Sequence, residues 1–384
     1  MRGFPIIPLV VFNVSIGSAT EIDDLRERVQ ELERRQQEAF EEFHASKAFV
    51  RPYLKDGILL GGYFETGFTH LNGPNTSAQY SSSAHILGIN LSADFTPQDR
   101  FVMQLQSGVG YTLANPHNDP AATPSQREYS SVAVITLLTQ GFFEHRFTPL
   151  FNVQTGLGYT PFGVAFQQRE SVLFKRRSGP EFLRASGQGN VGIAFPLWTG
   201  VHVHGSAPLN GNQIGYNAYT FSPTTQPSSV GAGSRLWYRY EEFLTLGLSH
   251  QIGETDNSTY QSYGADLDMK IEECGVTLEY GRSSVSHGKK GPEAYYATPY
   301  YQLVKDTVIL YATAEYVDNP NRVTVSLPDP YKVWSIGGGV NWLPFSNVRI
   351  RFGYLNHNYV GADSVKNGQD RDVNSLDLSI GVAF

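Results

Sequence analysis

Arg169, Lys175, Arg176 and Arg177 crowd into one short stretch, FQQRESVLFKRRS, with the acids Glu170 and Glu181 beside them. Held inside a confined aqueous passage, such a run raises the local concentration of anions. Held on an exposed loop, it would instead contact anionic lipopolysaccharide. A second set of charges is spaced singly along segments of alternating polarity: Arg184, Arg235, Arg239, Arg349 and Arg351, opposed by Asp94, Glu279, Glu315 and Asp377. Facing one another across a lumen, these would set up a transverse field that orders water and turns away apolar solutes. On adjacent strands they would be ion pairs of small energetic weight. Because both signs are present, weak selectivity is expected.

Catalytic chemistry finds little support. GVHVHG places His202 and His204 on one face, as a metal pair would be. With no carboxylate or cysteine close by, the pair falls short of a site, and pore-lining imidazoles are expected instead. There is no HExxH, no GxSxG and no phosphate-cradling glycine loop. Gly337, Gly338 and Gly339 lie within a strand-like segment, where small residues admit a crowding neighbour or a bend. Neither an enzyme nor a metal or cofactor site is expected.

The elements that must hold these charges are strands. The chain has 384 residues, with 38 Gly, 22 Tyr and 23 Phe but only 3 Met, a balance that favours an all-β fold. Net charge is −7, which argues against nucleic acid as a partner. The lone Cys274 excludes an intrachain disulfide. Mean hydropathy is −0.28, and no stretch reaches the ~18 apolar residues of a membrane-spanning helix.

Residues 1–19, one basic residue then an apolar run ending Gly17-Ser-Ala19, are expected to be a secretory signal peptide. Within 20–50, the segment EIDDLRERVQELERRQQEAFEEF carries a heptad seam through Ile22, Leu25, Val29 and Leu32, flanked by dense Glu and Arg. A helix this short cannot bury its seam alone. Self-association as a short coiled coil is the favoured expectation; packing against its own domain is the other.

From Gly57 the period changes to two. Sixteen strands are expected over 57–70, 84–95, 100–113, 127–143, 150–160, 182–195, 200–207, 212–221, 234–251, 259–270, 272–286, 295–305, 307–318, 331–343, 347–358 and 373–384. Their connections alternate long and short, as in transmembrane barrels with short periplasmic turns and long external loops; SPTTQPSSVGAG is the exception, long where a short turn is due. In 348–354, Val348, Ile350, Phe352 and Tyr354 oppose Arg349, Arg351 and Gly353. A packed core could not satisfy so many polar groups, whereas a watery lumen can. The expected architecture is therefore an outer-membrane β-barrel over 51–384, closed by pairing its last strand, SLDLSIGVAF, with its first. Phe384 would lie on the lipid-facing row at the interface.

Several segments resemble the phosphate-selective porin O and P family: a leader and heptad helix before the barrel, YTPFGVAFQQRESVLFKRRS, YGADLDMKIEECGVTLEYGRS, and SIGGGVNWLPFSNVRIRFGYLNHNYV before the closing strand. The resemblance implies a trimeric sixteen-stranded channel of the bacterial outer membrane with loops folded inward and a basic pore. It also implies that Phe384 is read by the barrel-assembly machinery. Here acids outnumber bases, 36 to 29, and no long inward basic ladder is found. The expected function is thus passive diffusion of small hydrophilic solutes or ions with a mild anion or phosphate preference. The alternative is a structural or adhesive barrel anchored through its periplasmic helix. Expected partners are two further copies of the chain, outer-membrane lipid and lipopolysaccharide, and the solutes themselves.

Overall fold

The computed structural model describes residues 53–55, 58–72, 80–114, 130–165, 167, 193–222, 230–255, 258–285, 289–319, 331–360 and 371–384. The expected leader and the heptad residues Ile22, Leu25, Val29 and Leu32 lie outside the described residues, as do Arg169, Lys175, Arg176, Arg177 and Arg184. A short β1 (Tyr53–Lys55) pairs only with β2 (Ile58–Asn72). There follow β3 (Tyr80–Asp94), β4 (Asp99–Ala114), β5 (Ser130–Thr148), β6 (Phe151–Tyr159), β7 (Leu197–Leu209), β8 (Asn212–Phe221) and β9 (Gly231–Tyr240). The circuit continues through β10 (Leu244–Thr255), β11 (Ser258–Ile271), β12 (Cys274–Val285), β13 (Lys289–Val304), β14 (Val308–Asn319), β15 (Tyr331–Phe345), β16 (Val348–Val360) and β17 (Arg371–Ala383).

Each of β2 to β17 pairs antiparallel with its sequence neighbours, and β17 pairs with β2. The result is a closed sixteen-stranded antiparallel barrel, and closure leaves no unpaired edge to face lipid. At the seam, the Phe384 N–H donates to Gly62 O and the Gly62 N–H to Phe384 O, each at 2.9 Å. The two faces of β17 show why these residues form a barrel wall. Leu376, Leu378, Ile380, Val382 and Phe384 point outward and are exposed, while Ser375, Asp377 and Ser379 point inward and are buried. The same division runs round the ring, with Leu60, Phe64, Phe68, Leu87, Leu236, Leu248, Ile336 and Phe352 exposed on the outer face. An apolar exterior and a polar interior invert a soluble core and fit a lipid exterior.

Sixteen strands are expected from the sequence and sixteen close the ring, but they are not the same sixteen. Of the expected strand 182–195, residues 182–192 lie outside the described residues; β6 pairs directly with β7, and Ile193, Ala194, Phe195 and Pro196 belong to their connection. The expected strand 234–251 is instead two, β9 and β10, hinged at Glu241 with φ 47°. Its turn, Glu241-Glu242-Phe243, contains none of the usual turn formers, so the alternation reads straight through it. The connection 222–230 then falls at the end that carries the long loops, and the exception disappears. The opposite rim holds the tight turns, including Asn210-Gly211, where both residues take positive φ (50° and 82°) as a two-residue hairpin with the right twist requires.

Candidate functional site

The inside of the barrel is organised around the long connection between β6 and β7, spanning 160–196. Its two ends meet where Thr160 N–H donates to Pro196 O at 3.0 Å. From that neck both ends turn inward. Phe162, Ala165, Ile193 and Ala194 form a buried apolar cluster with Ala294 and Tyr296 of β13, Val317 of β14 and Val333 of β15. Those wall strands stand about half-way round the ring from β6, so the described ends of the connection reach across the lumen. Residues such as Val317 and Val333 on an otherwise polar inner face are explained by this contact, since they give the crossing segment an apolar seat.

A segment leaving its strand also needs partners for its backbone groups. The wall supplies them from residues remote in sequence. Gly163 N–H donates to Ser249 Oγ at 3.1 Å, Ala165 N–H to Glu279 Oε2 at 2.9 Å, and Phe195 N–H to Gln251 Oε1 at 2.9 Å. Tyr296 O–H donates to the same Glu279 oxygen at 2.9 Å, and Gln251 Nε2 donates to Tyr219 O–H at 2.9 Å. Gln167 Nε2 closes the turn onto Gly163 O. Gly163 itself has φ 63°, and a Cβ there would fall on the Glu279 carboxylate. Around Phe195, the rings of Trp198, Tyr219, Phe221 and Tyr260 pack into a second buried cluster, with Phe195 stacked on Phe221 at 5.2 Å between centroids. Tyr219 and Phe221 lie flat over Gly233 and Gly231, positions that admit no Cβ beneath those rings.

Glu279 is therefore an anchor for the crossing segment and not an open pore charge as the alternation suggested. Glu279→Leu leaves the Ala165 N–H and the Tyr296 hydroxyl without their acceptor, at ~1–3 kcal/mol for each buried group. The folded barrel should be lost at a lower temperature on heating in detergent. Glu279→Gln keeps an oxygen for both donors and should melt as the parent does; equal losses in the two variants would remove Glu279 from this role.

The remaining wall charges are largely spent on one another. Arg235 Nη2 donates to Asp266 Oδ1 at 2.6 Å, both side chains being buried. The pair reaches from β9 to β11 across β10, where Gly247 leaves the space that both side chains fill. Arg351 pairs with Glu65 at 2.5 Å, from β16 to β2 across β17, while its Nε donates to Ser379 Oγ at 3.0 Å. Both expected pore arginines thus sit in ion pairs that bridge an intervening strand. Glu315 is buried on the lumen face of β14 and accepts from Thr313 Oγ1 at 3.4 Å. Asp377 accepts from Thr69 Oγ1 at 2.6 Å. Arg239 is exposed near the tight-turn rim, its guanidinium 5.6 Å from the centroid of Trp237, and Arg349 lies on the same inner face close to that rim.

His202 and His204 do face the lumen, inside a network that the spacing alone did not reveal. Glu144 Oε1 is 3.0 Å from His204 Nε2 and accepts from Gln154 Nε2 at 3.0 Å, while its Oε2 accepts from Arg146 Nε at 2.9 Å. Both His202 nitrogens lie within hydrogen-bond distance of amide side chains, Gln154 at 2.8 Å and Asn217 at 3.0 Å. Among the described residues, no group of three His, Cys, Asp or Glu side chains is placed to hold a metal ion. The contributions of Gly163, Ser249, Gln251, Tyr296 and Glu144 were not foreseen. The one local signal was Gly163 itself, which follows Pro161-Phe162 where a chain must change direction.

The class defined by this geometry is a closed sixteen-stranded barrel with a polar lumen, into which both described ends of the connection between β6 and β7 reach. No family model matches the chain, and no characterised protein matches it in sequence. Solved structures do match in fold. OmpF of Salmonella typhi, in a complex with daunomycin, superposes with TM-score 0.56 at 11% identity over 87% of this chain and 100% of its own. The anion-selective porin of Comamonas acidovorans gives 0.55 at 10% identity over 85% and 99%. OprB of Pseudomonas putida, in its low-pH structure, gives 0.55 at 8% identity over 86% and 93%. The chain shares the fold of outer-membrane porins.

Proposed function

We propose that this protein is an outer-membrane porin, a water-filled channel for passive diffusion of small hydrophilic solutes and ions with a mild preference for anions, phosphate among them. The observation that carries the reading is the crossing connection. A closed barrel with an apolar exterior has a polar interior, and one segment is hydrogen-bonded within it at Ser249, Gln251 and Glu279, narrowing it to a defined passage. Sixteen strands enclose a lumen wide enough for solutes unless a loop narrows it. The basic residues Arg169, Lys175, Arg176 and Arg177 belong to that same connection, which is the support for an anion preference. The likeness to the phosphate-selective family points the same way, and the acid-rich wall keeps the preference mild. No catalytic step belongs to this reading. We further propose a homotrimer in the outer membrane, with the heptad helix of 20–50 in the periplasm, on the strength of its apolar seam and the same likeness.

Planar-bilayer recording of the purified protein in a salt gradient tests the proposal. Discrete conductance steps with a reversal potential displaced to the anion side are expected, and Lys175→Gln with Arg176→Gln and Arg177→Gln should move it toward cations. Steps with an unmoved reversal potential would take the connection's basic run out of the passage. Folded protein that gives no steps would overturn the channel.

A further inference from the structure

The inner wall sorts its polar groups by kind around the ring. On β4 to β8 amides stand out: Gln106, Gln140, Gln154, Gln213 and Asn217 are all half-buried on the lumen face. Hydrogen bonds bridge each strand of this arc to the next. Gln140 Nε2 donates to Gln104 Oε1 at 3.0 Å, from β5 to β4. Gln154 Nε2 of β6 donates to Glu144 Oε1 of β5 at 3.0 Å. Gln154 Oε1 and Asn217 Oδ1 lie 2.8 and 3.0 Å from the two ring nitrogens of His202, which joins β6 to β7 and β7 to β8. Toward the tight-turn rim, Gln213 Nε2 donates to Ser206 Oγ at 2.9 Å. Charges on this arc are paired locally: Arg146 Nη2 is 2.9 Å from Glu144 Oε2, and Arg100 Nε is 3.5 Å from Asp94 Oδ1. One apolar ring stands among the amides. Phe142 is half-buried, two residues from Gln140 and two from Glu144, with its centroid 5.9 Å from that of Trp198. On β11 to β17 the same lumen face carries Asp266, Asp268, Glu279, Glu315, Arg349 and Arg351.

We infer that the amide band of β4 to β8 is a binding track for uncharged sugars on their way through the lumen. The inference rests on the channel reading and names a solute class for it. Each amide offers both donors and acceptors, whereas a guanidinium or ammonium only donates and a carboxylate only accepts. An inorganic anion can use only the N–H half of such a band, and a metal cation only its oxygens. A sugar uses both halves, because each of its hydroxyls donates and accepts. The contacts made within the band occupy only part of this capacity, and the half-buried amides keep the remainder toward the lumen. Exchanging water for sugar hydroxyls there replaces one neutral hydrogen bond by another, whereas a charged wall binds its water more firmly and gains less from a neutral solute. Phe142 adds what a purely polar wall lacks, an aromatic face for the apolar C–H side of a sugar ring. A few placed polar groups beside an apolar surface are the usual make-up of a small-molecule site.

Single-channel recording of the whole protein in identical salt on both sides, with raffinose as the probe, tests the inference. This uncharged trisaccharide should interrupt the open current in brief steps whose frequency rises in proportion to its concentration. A polyethylene glycol of the same mass, which has no hydroxyl donors along its chain, should not. Gln106→Leu with Gln140→Leu should shorten the interruptions at least about three-fold. Lys270→Gln, an exposed position on the inner face of β11, should leave them as in the parent. Gln213→Leu alone keeps the test open if the double variant does not fold, and it should shorten them about two-fold. Channel steps that raffinose does not interrupt would overturn the inference and leave the channel standing. So would equal interruption by the polymer, or interruptions that neither glutamine variant shortens. The absence of channel steps would overturn the channel and its sugar track together.

Discussion

Replacing Gly163 with valine should enlarge the channel, raising single-channel conductance roughly two-fold and broadening its distribution. Gly163 takes φ 63° at the point where the connection enters the lumen. An L-residue in that region costs about 1–2 kcal/mol, and a β-branched one is a strong outlier there. The added Cβ would also displace the Glu279 carboxylate, the acceptor for the Ala165 N–H. The conformational cost and the lost hydrogen bond act on the same turn, so the first stretch of the connection must leave the wall. The barrel does not depend on that turn, because β6 and β7 pair with each other without it. The variant should therefore fold, insert and conduct more. Gly163→Ala, with the same backbone cost and a smaller side chain, should fall between parent and valine. Conductance unchanged in both would show that the turn does not set the width of the passage.

Breaking the Arg351–Glu65 pair should be the most destabilising single change to the wall. Both side chains are 2% exposed, and the pair links β16 to β2 over the seam strand β17. Removing one partner leaves a buried charge uncompensated, typically ~3–5 kcal/mol, whereas replacing both with apolar residues of similar size is often close to neutral. Arg351→Met should thus lower the temperature at which the folded barrel is lost on heating in detergent. Glu65→Gln should do so less, because Arg351 keeps its bond to Ser379 Oγ. The double variant Glu65→Leu, Arg351→Met should recover most of the loss. If the two single effects simply add in the double variant, the pair is not coupled and the seam is held by its backbone ladder alone.

Much of the architecture was legible in the chain because alternation is a local property. The two faces of SLDLSIGVAF can be assigned from the residues themselves, and they are the faces that β17 shows. The strand errors came from the same locality. The stretch 182–195 alternates as a wall strand does, yet β6 pairs directly with β7, and its described residues 193–195 belong to their connection. Glu241 turns the chain with no turn-forming residue type to announce it.

Residue type and period were enough to establish an antiparallel barrel, its apolar outer face and a charged interior; the count of sixteen agrees only because the division of 234–251 into β9 and β10 offsets the strand expected at 182–195. They could not establish which of those charges are available to a solute. Arg235 finds Asp266, and Arg351 finds Glu65, across an intervening strand, so each pairing depends on the register of three strands and on the small residue that the middle one offers, Gly247 or Ser379. The inward path of the 160–196 connection depends likewise on Ser249 and Glu279, acceptors far along the chain that closure of the ring brings beside Gly163 and Ala165. Contacts of this kind arise from the geometry of a closed sheet, and no local pattern of residues encodes them.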